Sequence, residues 1–216
     1  MSLRNPRSPV LFALCLGFAS LAPAAHAQNV APGDIDRLAG LLVEMMPIGD
    51  VFDAIAKQDP TWPMQERPDA VTAEQLACMR GELSSAGYRR AKRADASAYA
   101  SAHPSRVRGD IALLEGGASV LFGRLVMEGA ATEGGGDSNA VLAGSTPAQL
   151  LSFMTVMTDP KHAALREAAG MGDAIDATRS AEENEKSGYQ LGASIVTQLM
   201  IKSLDTCQVP TSAILG

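Results

Sequence analysis

The stretch that decides the fold runs from Val107 to Leu125, VRGDIALLEGGASVLFGRL. Its apolar residues Val107, Ile111, Leu114, Ala118, Leu121 and Leu125 recur at alternating steps of four and three. That is the period of an α-helix with one buried face, and the alternation suits helices packed at shallow angles. Gly109, Gly116, Gly117 and Gly123 interrupt the stripe, each costing roughly 0.5–1 kcal/mol relative to alanine inside a helix. They predict a close approach by a neighbouring backbone, or a break at Gly116-Gly117.

Working outward, the same period continues. Ile35, Leu38, Leu42 and Met45 form a stripe behind a candidate N-cap at Asp34. Pro47 should end or kink that helix, with Ile48, Val51, Phe52 and Ile55 in a second short one. Asp59 to Pro68, which holds the single tryptophan, reads as a loop. Thr72-Ala73-Glu74-Gln75 fits a capping box. It opens a long helix carrying Leu76, Met79, Leu83 and Ala86, which fades into an alanine-rich stretch before Pro104. Glu133 to Gly144 is glycine-rich and reads as a mobile loop.

Thr146-Pro147 opens a further helix with proline at its first position. Asp159-Pro160 restarts the chain in the same manner, and Gly170 is a stop signal. The last long helix falls within Asp173 to Asp205, its second half burying Tyr189, Ile195, Val196, Leu199 and Met200. No strand alternation of useful length appears. The expected fold is an all-α, single-domain antiparallel helical bundle over 28–207, with 208–216 as a flexible tail.

The beginning of the chain has a separate meaning. Arg4 and Arg7, an apolar run from Val10 to Leu21, and Ala25-His26-Ala27 match a signal peptide over 1–27, cleaved before Gln28. Delivery to the periplasm follows. The apolar run is shorter than the ~20 residues a bilayer requires. Leu14 is too bulky to precede a lipidated Cys15, so release is expected rather than a lipid anchor. Removal leaves 189 of the 216 residues, enough for one domain with a substantial core. No later segment suggests membrane insertion.

Processing would also remove two arginines and no acid, leaving 16 basic residues against 24 acidic ones, a net of −8 against −6 for the whole chain. Such a surface argues against nucleic acid and favours a basic partner, although the charge would also serve solubility. Cys78 and Cys207 remain as a pair, which in an oxidising compartment predicts a disulfide. Closing a loop of that length contributes on the order of 4–5 kcal/mol in the chain-entropy model.

No pattern of catalytic groups emerges, and no cofactor or metal is expected. His103, before Pro104, is placed to satisfy the last carbonyls of a helix. His162, in the first turn after Pro160, reads as a surface residue rather than a general base. No serine sits in a nucleophile elbow. Gly134-Gly135-Gly136 lacks the Lys-Ser/Thr ending of a phosphate loop, and Asp137-Ser138-Asn139 has Leu142 where a calcium loop needs glycine. Arg89, Arg90, Lys92 and Arg93 read as a solvated basic face. Trp62 either packs onto the bundle or stands exposed as an interface anchor.

The segment from Thr146 to Leu165 resembles the signature of the periplasmic helical family called domain of unknown function 2059. Thr146, Gln149 and Leu150 stand for its capped helix start, and Asp159-Pro160 for its Ser-Pro turn. The stripe from Ile35 to Met46 is similar to the family's first helix. Val156 and Met157 replace a pair of aromatics, and His162 replaces a usual glycine. The resemblance implies a periplasmic all-α domain without known catalysis, some of whose relatives look like immunity proteins against a secreted antibacterial effector. The expected function is then non-enzymatic binding of that partner protein. Candidate contacts are Trp62, the loop holding Glu133 and Asp137, and the acids Asp176, Glu182 and Glu183. Ten methionines and the glycine-lined stripe leave a rival reading, a carrier of an apolar small ligand. An enzyme would require a pocket that sets His103 or His162 against a carboxylate.

Overall fold

The computed structural model describes residues 30–131, 136–172 and 180–215. The signal-peptide segment, Glu133 and Asp176 lie outside them. Helices α1 (Pro32–Met45) and α2 (Ile48–Gln58) meet at Pro47. They are followed by α3 (Ala73–Leu83), α4 (Ser85–Ala102), α5 (Val107–Leu113) and α6 (Ser119–Ala131). Then come α7 (Ser138–Ala143), α8 (Pro147–Thr158), α9 (Ala163–Ala169), α10 (Ala181–Thr206) and α11 (Ser212–Leu215). The fold is all-α, and the described residues contain no strand.

α4 is the central element. It is antiparallel to α1–α2, since Arg93 pairs with Asp36 whereas Ser85 bonds Asp50 and Asp53. It is antiparallel to α9 too, where Lys92 reaches the carbonyl of Ala169 and Arg106, just beyond α4, lies beside His162. α1 and the α5–α6 pair run in the same direction: Asp34 meets Arg108, and Glu44 meets Ser119. The bundle is therefore antiparallel around α4 but not throughout.

The predicted stripe is buried as expected from Val107 through Leu121, with Leu125 half-buried. Its break is real. Leu114–Ala118 forms a π-turn, and Gly117 takes φ +118°, a conformation that side-chain-bearing residues rarely adopt. Close approach accounts for Gly123, where an added Cβ would sit 2.2 Å from the carbonyl oxygen of Glu44. Gly109 has no neighbour within 4 Å and needs neither explanation.

The long helix expected after Thr72 is two helices. Ser84 has extended ψ (165°), and its hydroxyl accepts from the Gly87 N–H, so it caps α4 while ending α3. Asp53 accepts from both the backbone and the hydroxyl of Ser85 and fixes the corner. The glycine-rich stretch is likewise not all loop, because Asp137 caps α7 through the Ala140 N–H.

The tail expected beyond Cys207 is packed instead. Val209 and Ala213 are buried with Met64, Met79 and Leu204 in a small second core. The Cys78–Cys207 disulfide, with Cα atoms 5.7 Å apart, ties this end to α3. No described helix is long and apolar enough to cross a membrane.

Candidate functional site

The outer face of α8 carries two exposed large apolar side chains. Leu151 is 71 % exposed and Met154 51 %, one helical turn apart. The opposite face of α8 is held firmly. Gln149 lies on Gly117, Ser152 on Gly116, and Phe153 stacks near Phe122 with ring centroids 6.1 Å apart. The helix opens at Thr146-Pro147 as predicted, and Thr146 and Gln149 form a capping box there. At its end, the buried guanidinium of Arg166 donates to the carbonyls of Val156 (2.8 Å) and Asp159 (3.1 Å). Capped at both ends and seated on a glycine break, α8 presents its apolar pair without freedom to tuck it away.

A buried polar cluster joins α4, α5 and the turn after α8. Asp110, 2 % exposed, accepts from the Tyr99 hydroxyl and from the His162 Nδ1–H at 3.0 Å. The Arg106 guanidinium stands 3.7 Å from the same carboxylate. Loss of hydration holds His162 below the ordinary imidazole range, despite the opposing pull of Asp110; Lys161 and Arg106 push the same way as burial. His162 is 5 % exposed, so its expected surface position is wrong. Its partner carboxylate is 52 residues away in sequence, beyond any local spacing rule. The His–carboxylate pair that an enzyme would need thus exists, and the contacts it makes tie α5 to α4 and to the start of α9. His103 closes α4 through its backbone N–H to Tyr99, while its ring packs on Tyr99 at 5.0 Å rather than capping carbonyls.

The other sequence candidates are dispersed. Trp62 is 7 % exposed and packs on Phe52, 5.1 Å between centroids, so it is core and unavailable as an anchor. Asp137 is an exposed helix cap. Glu183 is exposed and completes a capping box with Ser180 at the start of α10; Glu182 is the neighbouring residue of that helix. Arg89, Arg90 and Arg93 are exposed, but Lys92 is buried between α4 and α9, which corrects its assignment to a solvated face. Its ammonium donates to Asp95 and to two α9 carbonyls, so burial is compensated. Among the described residues no three His, Cys, Asp or Glu side chains converge to hold a metal ion.

These features define a disulfide-clamped all-α domain with a rigidly seated apolar face and polar groups turned to internal structure. No family model matches the chain, and neither a curated protein nor a solved structure does.

Proposed function

We propose that this chain is a non-enzymatic binding protein of the periplasm that acts by covering a partner protein, most specifically an immunity protein that occludes a secreted antibacterial effector. The observation that carries this reading is the Leu151–Met154 pair on a helix fixed from behind. Apolar side chains held exposed together mark a surface for protein contact, and an interface of ~1,600 Å² can be centred on them. The acidic balance of the chain, −6 overall, steers a basic partner towards it. The Cys78–Cys207 disulfide is compatible with an oxidising compartment, as export requires. The likeness of the Thr146–Leu165 segment to the periplasmic family described above points the same way.

The test is direct. The protein and the secreted product of the neighbouring gene are purified, mixed and passed through light scattering, and co-expressed in a growth assay. A stoichiometric complex and rescued growth are expected. Two separate monodisperse species with no rescue would overturn the reading.

A further inference from the structure

Between α4, α9 and α10 runs an open groove of about 520 Å³, within the ~300–1,000 Å³ typical of small-molecule sites. The sequence explains why it is open. α4 turns Ala91, Ala98 and Ala102 towards it and α9 turns Ala164 and Ala168; side chains that stop at Cβ leave the space between the helices unfilled. Ile195 and Leu199 of α10 form the facing wall. From Tyr88 to His103 the groove follows α4 for roughly 20 Å at 1.5 Å per residue.

Its charges are unevenly placed. Lys92 is engaged, donating to Asp95 at 3.0 Å and to the carbonyls of Ala168 and Ala169 at 3.2 Å each. Glu167 lies on the α9 wall and His103 at the far end. At the near end the groove adjoins a second hollow, and Tyr88 and Lys202 border both. Lys202 is exposed and makes no ion pair among the described residues. The Tyr88 hydroxyl is buried, with no acceptor among the described residues. Buried hydroxyls are nearly always satisfied, so an orphaned one beside an open groove calls for an explanation. Burial, and to a lesser degree the Asp95 carboxylate, keep this phenol protonated far above neutral pH, so its O–H is available as a donor there.

The geometry points to a binding site for a single-chain anionic amphiphile, its apolar tail along the alanine floor and its acidic head at Tyr88 and Lys202. This site is independent of the protein-binding face, because α8 contributes nothing to the groove.

Dodecanoate, held below its micelle concentration, tests it by isothermal titration of the purified protein, with dodecylammonium and dodecanol as controls. Saturable one-to-one binding of dodecanoate, at least tenfold tighter than either control, is expected. Lys202→Glu should weaken it tenfold or more. Tyr88→Phe should weaken it severalfold while leaving the free protein at least as heat-stable. Ala98→Trp and Ala102→Trp, both at exposed positions where circular dichroism should report an intact fold, should abolish binding. No binding of dodecanoate, equal binding of dodecylammonium, or full affinity in both tryptophan variants would overturn the assignment.

Discussion

Gln149 lies so close to Gly117 that a Cβ at position 117 would stand 2.4 Å from the Gln149 Cγ. One residue that can take φ +118° thus lets the α5–α6 stripe break and lets α8 settle into the gap. Gly117→Ala should therefore cost at least about 2 kcal/mol, from backbone strain and overlap together. Gly109→Ala, in α5 with open space around it, should be neutral or stabilising by about 0.5–1 kcal/mol. Urea unfolding of the two variants measures the difference.

The buried Asp110 carboxylate joins Tyr99, Arg106 and His162, so removing it strands donors from several elements. Asp110→Ala should lose about 3–5 kcal/mol, visible in a urea titration.

His162 makes the fold pH-sensitive in a defined direction. Burial lowers its pKa in the folded chain, whereas the unfolded imidazole takes up a proton near 6.5. The unfolded state therefore binds more protons below that value. The stability His162 contributes is full above pH 6.5 and is lost as pH falls towards the lowered value. The urea midpoint should fall between about pH 7.5 and pH 5.5, and His162→Gln, which keeps a donor for Asp110, should flatten that part of the profile.

Much of this architecture is legible in local sequence. The capping box at Thr72–Gln75, the proline-led helix start at Thr146-Pro147, the stripe from Val107 and the cysteine pair all appear as read, because each rests on residues a few positions apart or on chemistry with few alternatives. What escaped reading depends on distant partners. Ser84 breaks a helix because Asp53, 32 residues earlier, holds Ser85. Lys92 goes inside because carbonyls of Ala168 and Ala169 await it, and His162 because Asp110 does. The chain end was readable in principle: a bridge at Cys207 keeps Val209 and Ala213 near Met79, which favours packing over fraying. The apolar face of α8 was missed because Leu151 and Met154 look like core until the seat of the helix on Gly116 and Gly117 shows which side faces out.

The disulfide closes a separation of 129 residues, so Cys78→Ala/Cys207→Ala should lose on the order of 4–5 kcal/mol in the chain-entropy model. Because α10 packs chiefly on α3, the loss should be local first. Hydrogen exchange should accelerate at Ile201–Thr206 while amides of the Val107–Leu113 helix stay protected.

The central claim is that binding resides in the exposed pair on α8. Isothermal titration of the secreted partner into wild type and into a Leu151→Glu/Met154→Glu variant tests it most directly. Both positions are exposed, so the variant should fold with stability within about 0.5 kcal/mol per site. The account predicts tight binding by wild type and a loss of at least ~100-fold, about 2.7 kcal/mol, in the variant. Equal affinity for both proteins, or no heat from wild type, would contradict it.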